Sequence, residues 1–153
     1  MGLWTAEEIA TATNGTLRGA GETVVDGISI DTRTLRPTDL FIALRGPNHD
    51  AHDFAASAAD AGASVLLVDR PLDVNVAQVV VADTGAAMEA LGMARRAEIK
   101  GFVLGITGSV GKTGTKELAA AGFARLGRTH ATKGNLNNHF GVPLTLARMP
   151  RDT

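Results

Sequence analysis

The sequence predicts an α/β fold in two parts. A small N-terminal α/β unit covers residues 1–98, and a parallel sheet built around a glycine-rich loop begins at residue 99. Three observations carry this reading. Val65-Leu66-Leu67-Val68 and Val79-Val80-Val81 are short, uninterrupted apolar runs, as in strands covered on both faces, and far too short to span a bilayer. Capped, alanine-rich segments alternate with these runs, as helices do in an α/β layer arrangement. At Lys100-Gly101 the pattern restarts as apolar run, glycine turn, helical segment and second strand candidate, the order that opens a parallel sheet.

Each element has a local reason. Thr5 and Glu8 make a capping box for a helix that begins at Ala6, and Asn14-Gly15 ends it, because both residues tolerate positive φ. Val24–Ile30 and Asp39–Leu44 read as strands separated by the turn-rich Thr34–Thr38 with Pro37. Phe54–Ala61 reads as a helix stopped by Gly62, Ser64–Val68 as a buried strand, Pro71–Asn75 as a loop and Val76–Ala82 as a further strand. Thr84 caps a helix running to Glu98. In the second part Phe102–Ile106 is the strand, Lys112–Leu126 the helix and Arg128–Thr132 the next strand. That part is too short to close a doubly wound sheet, so it reads as the incomplete beginning of a domain, marginal in stability and with unpaired strand edges.

Composition excludes several functions. With 44% hydrophobic and 20% charged residues the chain is not a disordered polymer. The absence of cysteine removes disulfides, a thiol nucleophile and thiolate metal sites. Aromatic residues are 4%, tyrosine is absent and basic residues do not interleave with aromatics, which argues against nucleic acid as a partner. The first residues carry Glu7 and Glu8 and lack a basic-then-apolar leader, so a cytoplasmic protein without membrane contact is expected. Charge is unevenly spread: residues 1–98 hold fourteen acidic and seven basic side chains, residues 99–153 two acidic and eight basic. The second part is therefore the one suited to an anion.

The sharpest motif is Gly105-Ile106-Thr107-Gly108-Ser109-Val110-Gly111-Lys112-Thr113. A strand enters a glycine turn whose N–H groups can converge on phosphate oxygens, and a helix then starts with its positive end toward the same anion. Lys112 suits the β- and γ-phosphates of a nucleotide, and the Thr113 hydroxyl suits Mg²⁺. The strict form G-x-x-x-x-G-K-[ST] is missed, since Ile106 stands where the first glycine belongs. A dinucleotide site fails on two counts. The glycine spacing is G-x-x-G-x-x-G, and no acidic residue lies between Glu117 and Asp152 to hold a ribose. Downstream, Asn135, Asn137 and Asn138 gather neutral donors and acceptors beside this loop, or alternatively serve only turns.

Taken together, Gly105–Thr113, Thr115-Lys116-Glu117, Thr132–Asn138 and Gly141-Val142-Pro143-Leu144-Thr145-Leu146 resemble the Mur ligase family, in particular its MurF type. Asp31-Thr32-Arg33, Asp39–Gly46 and Asp50-Ala51-His52-Asp53-Phe54 resemble that family's N-terminal UDP-binding domain, so the likeness covers nearly the whole chain. It implies an ATP-dependent amide ligase of peptidoglycan precursor synthesis, with ATP and Mg²⁺ as cofactors and an acyl phosphate as intermediate. UDP-N-acetylmuramoyl-tripeptide and D-Ala-D-Ala are the implied substrates, and a monomer is expected. Carried over residue by residue, Gly108, Ser109, Val110, Gly111, Lys112, Thr113 and Gly114 would hold ATP, with Lys112 catalytic and Thr113 and Thr115 near the metal. Thr32, Arg33 and His52 would lie at the uridine nucleotide, and Asn135 and Asn138 between the γ-phosphate and the muramoyl peptide.

Two departures stand out: Gly114 replaces a hydroxyl residue after Gly-Lys-Thr, and Ala51 replaces a glycine before His52. The family's other metal, adenine and acceptor contacts have no counterpart within these residues, so the chain by itself is expected to be inactive. The alternatives are a non-catalytic nucleotide- or UDP-sugar-binding module and another ATP-dependent amide ligase sharing the loop. His52 also has a purely structural reading, and Arg33 one as a surface ion-pair partner.

Overall fold

The structure, a computed structural model, describes residues 2–46, 49–133 and 139–153. Along the chain the elements are β1 (Trp4–Thr5), α1 (Ala6–Thr13), β2 (Thr16–Arg18), β3 (Val24–Val25), β4 (Gly27–Ser29) and β5 (Asp39–Ile42). A 3-10 turn at Ala51–Phe54 leads into α2 (Ala55–Asp60), followed by β6 (Val65–Val68), β7 (Ala77–Val80), α3 (Thr84–Glu98), α4 (Lys112–Phe123) and α5 (Gly141–Ala147). Five strands form one sheet in the order β2-β7-β6-β5-β4. Strands β4 to β7 run parallel, and β2 closes one edge antiparallel to β7. The expected parallel α/β layer is thus present.

The buried strands explain the apolar runs. Every residue of β5 and β6 is buried, and side chains alternate between two clusters because successive residues of a strand point to opposite faces. Leu40, Ile42, Val65, Leu67 and Val79 meet Ile9 of α1 and Met88 and Leu91 of α3. Phe41, Leu66 and Val68 meet Ala55 and Ala58 of α2 on the other face. The α1 capping box forms as read, with Glu8 N–H donating to Thr5 Oγ1 at 3.2 Å and Thr5 N–H to Glu8 Oε2 at 2.9 Å, and Asn14 closes the helix at φ 52°.

Several elements differ from the sequence reading. Val24–Ile30 is not one strand: β3 pairs with β1 while β4 pairs with β5, and exposed Asp26 stands between them. The α3 cap is Asp83, whose carboxylate accepts from Ala86 N–H at 2.9 Å, whereas buried Thr84 donates its hydroxyl to the carbonyl of Ala43 beyond β5 at 2.8 Å. Helix α2 begins at Ala55 rather than Phe54, and α4 ends at Phe123 rather than Leu126. The expected strands at 102–106 and 128–132 do not form, because no neighbouring strand among the described residues offers them a ladder. Phe102, Val103 and Leu104 are exposed, and α4 buries none of its residues.

The last residues are better anchored than expected. Helix α5 packs along α3, with Leu144, Ala147 and Met149 buried. Gly92 of α3 makes this approach possible, since a Cβ there would lie 2.9 Å from the Pro143 carbonyl oxygen. Trp4 donates its indole N–H to Ala147 O at 2.9 Å, Arg148 Nε donates to Ile28 O at 2.8 Å, and Arg151 pairs with Glu8 at 2.5 Å. Buried Arg95 stacks its guanidinium 4.1 Å above the Trp4 ring and donates to Leu3 O at 2.5 Å. These contacts fasten the chain's end to its beginning.

Candidate functional site

Two clusters hold the residues singled out by sequence. The first lies beyond the carboxyl ends of the parallel strands, the edge where open α/β sheets place ligands. The chain leaving β4 turns sharply there. Buried Ser29 donates its hydroxyl to Asp31 O at 2.8 Å and lies 2.9 Å from Thr34 Oγ1, while Asp31 accepts Arg33 N–H at 2.9 Å. The Arg33 guanidinium returns to the same carboxylate at 2.5 Å, and these bonds lower the Asp31 pKa to about 2. Thr32 is half-buried at the top of this turn. The Arg33 side chain is 87% exposed, and its pairing with Asp31 raises its own pKa.

His52 sits at the same edge but faces inward, its side chain wholly buried. Its Nδ1 lies 2.5 Å from Asp50 Oδ1, and its Nε2 accepts the Asp69 backbone N–H at 2.9 Å, just past β6. Arg70 bridges Asp69 at 2.8 Å and Asp50 at 3.1 Å, and Arg45 reaches Asp69 at 3.0 Å. The His52 backbone N–H leads, and with the His52 ring and Arg70 holds the Asp50 carboxyl well below the usual carboxylate range. Ala51 fits where a glycine was expected, because it opens an ordinary 3-10 turn capped by Asp50. Sequence reading missed Ser29, Arg45, Asp69 and Arg70. The pair Asp69-Arg70 directly after an apolar strand was the available signal.

The second cluster is the glycine loop. Gly108 and Gly111 have φ of 147° and 80°, a region side chains disfavour, and no atom lies within 4 Å of where a Gly111 Cβ would be. Gly111 supplies the N-cap of α4 without a side-chain cap bond, and no acidic residue stands in the first turn. The helix N–H groups and positive dipole end are therefore open to an anion. Lys112 folds its ammonium back onto the Gly108 carbonyl, across the turn. Ser109, Val110, Thr113 and Gly114 are exposed. Thr115 donates its hydroxyl to Gly111 O at 3.0 Å, so of the two hydroxyls read as metal-side groups Thr113 is the one not committed to the helix backbone. Open glycines, an uncapped helix start and a lysine over the turn fit a nucleotide phosphate. Lys116 donates to Thr132 O at 2.5 Å, bringing the chain that precedes the asparagine segment against α4. Asn135 and Asn138 lie outside the described residues.

The sequence matches a known family. The model for the "Mur ligase family, catalytic domain" matches residues 24–126, two thirds of the chain. The chain belongs to the Mur ligase family. A second Mur ligase model, for the middle domain, matches residues 106–153. Among named relatives, the UDP-N-acetylmuramoyl-tripeptide–D-alanyl-D-alanine ligase of Escherichia coli (strain K12) is 46% identical over 145 residues, 95% of this chain and 32% of that protein. Among solved structures, the Acinetobacter baumannii UDP-N-acetylmuramoylalanyl-D-glutamyl-2,6-diaminopimelate–D-alanyl-D-alanyl ligase superposes with a TM-score of 0.87 at 40% identity, over 97% of this chain and 34% of that one. MurF ligase from Thermotoga maritima, solved in complex with ADP, gives 0.65 at 28% identity over 80% of this chain and 29% of that one. The chain thus spans about a third of the length of the Mur ligases it matches.

Proposed function

We propose that this chain carries the uridine-nucleotide and ATP-phosphate sites of a ligase that joins D-Ala-D-Ala to UDP-N-acetylmuramoyl-tripeptide. The observation that carries the reading is 46% identity over 95% of the chain to a ligase named for that reaction; the positive-φ glycines Gly108 and Gly111 before α4 support it. In this reading residues 1–98 serve the UDP-linked substrate and residues 99–153 begin the ATP-binding domain, with α5 as the contact between them. ATP with Mg²⁺ would supply the phosphoryl group that turns the tripeptide carboxylate into an acyl phosphate, open to attack by the D-Ala-D-Ala amine.

The chain's own part is positioning and charge neutralisation, which dominate phosphoryl transfer. The N–H groups from Gly108 to Gly111 and the start of α4 would cradle phosphate oxygens, and Val110 and Gly114 would line the same turn. Lys112 would exchange the Gly108 carbonyl for the β- and γ-phosphates, and Thr113, assisted by Thr115, would face the metal. Thr32 and Arg33 would meet the uridine nucleotide, and Asn135 and Asn138 the muramoyl peptide. ATP and the UDP-linked tripeptide are nucleotides of the cell interior, so we assign the chain to the cytoplasm; among the described residues no helix is long and apolar enough to cross a membrane.

Lys112→Ala tests the loop assignment. In the whole ligase it is expected to abolish ATP turnover, measured as phosphate release, a loss of roughly a thousandfold or more. Near-normal turnover would overturn the assignment.

A further inference from the structure

His52 has no surface through which to touch a ligand, yet it occupies the centre of the charged cluster at the carboxyl edge of the sheet. Its two ring nitrogens are engaged differently. The Asp69 N–H meets Nε2 at 2.9 Å and Asp69 Oδ1 stands 3.1 Å from the same nitrogen; the closer partner is a donor, which calls for a lone pair on Nε2. The proton then resides on Nδ1, where Asp50 Oδ1 accepts it at 2.5 Å, and Asp50 Oδ1 also accepts the His52 backbone N–H at 3.0 Å. A ring with its proton on Nε2 alone would set two lone pairs against each other at Asp50 and turn its N–H toward the Asp69 backbone N–H, with the Asp69 carboxylate at 3.1 Å as its one acceptor.

The carboxylates so fixed hold two arginines. Asp50 and Asp69 together bind Arg70, and both lie within reach of Arg45, at 3.5 Å and 3.0 Å. Both side chains remain partly exposed, at 60% for Arg45 and 43% for Arg70. Arg45 meets both carboxylates through Nη2 and its side chain is 60% exposed, so further N–H groups are available to an anion. Arg45 follows β5 and Arg70 follows β6, so the pair straddles adjacent parallel strands at the ligand edge of the sheet.

We propose that His52 is a positioning residue of the nucleotide site. Its buried ring, protonated on Nδ1, locks Asp50 to the backbone beyond β6 and so holds Arg45 and Arg70 where a nucleoside diphosphate presents its phosphates. This rests on the uridine-nucleotide reading above, and it moves His52 from ligand contact to the layer behind the contacts.

Two measurements on this chain test it. In ¹⁵N NMR of the ligand-free protein, with His52→Gln used to assign the signal, the His52 ring is expected to carry its proton on Nδ1 alone. Protonation on Nε2, alone or with Nδ1, would overturn the proposal. Calorimetric titration with uridine diphosphate is expected to show about tenfold weaker binding for His52→Ala and for Arg70→Ala. His52→Asn, whose amide nitrogen stands in for Nδ1 but leaves the Asp69 N–H unmet, is expected to recover part of the loss. Binding within twofold of wild type in a folded His52→Ala protein, or no recovery by asparagine, would overturn it. Failure of the unaltered chain to bind uridine diphosphate would instead refute the nucleotide reading, leaving the ring's protonation to decide the lock itself.

Discussion

Residues 39–68 and residues 102–123 use the same vocabulary of apolar run, turn and helix, and they end in opposite conditions. Strands β5 and β6 are buried throughout and laddered on both sides, with helices over both faces. Phe102–Ile106 has an equally apolar run and forms no strand, while α4 keeps its hydrogen bonds and buries nothing. A helix satisfies its backbone from within, so α4 exists on local bonds alone; a strand is completed only by its neighbours. Apolar runs therefore specify a capacity for pairing, and pairing itself is a property of the surroundings.

The comparison can be broken most forcefully at α5. Leu144→Ala removes a buried side chain where the chain's end meets α3 and is expected to cost about 2–5 kcal/mol in urea unfolding. Gly92→Ala should lose about 1–3 kcal/mol, because its Cβ meets the Pro143 backbone. The corresponding change in α4, Gly122→Ala, has open space around it and is expected to stabilise by up to about 1 kcal/mol. Equal losses at Gly92 and Gly122 would erase the distinction between the two regions.

Two smaller tests use pH. The His130 Nε2 donates to Thr145 O at 2.8 Å, and burial lowers the His130 pKa below its ordinary value of 6.5. The unfolded chain therefore takes up this proton first. The stability tied to the neutral ring is present above about pH 6.5 and falls as the pH drops toward the lowered value. His130→Asn should flatten that part of the stability profile. Asp31 gives the smallest effect. Its pKa is lowered to about 2, so the contribution of its turn is complete above the ordinary carboxylate value near 4 and is lost as pH falls through about 2. The pair is mostly exposed, so NMR shifts of residues 31–34, rather than global unfolding, should report it.

What could be read from the sequence was whatever depends on near neighbours. The Thr5–Glu8 box, the Asn14 stop, the continuous β6 run and the glycine loop each announce themselves within a few residues. Strand β2 was silent, being three residues at an edge with alternating exposure and no apolar run. Helix α5 was hidden by Pro143, which fits only because it stands in the first turn, where its missing N–H costs nothing. The Arg45, Asp50, His52, Asp69 and Arg70 cluster was invisible for a different reason. Its members come from three separate turns, and only the parallel pairing of β5 with β6 brings those turns together.

The indole bond from Trp4 to Ala147 joins residues 143 positions apart. The described residues between α3 and α5, the glycine loop included, are consequently tied at both ends to one core. That makes the glycine-loop segment an insertion in topology. Closing so long a span carries an entropic cost that grows only with the logarithm of its length, but the contact cannot form until both ends are in place. Docking of α5 should accordingly be a late step in folding, completed after the five-stranded sheet and its helices have already assembled.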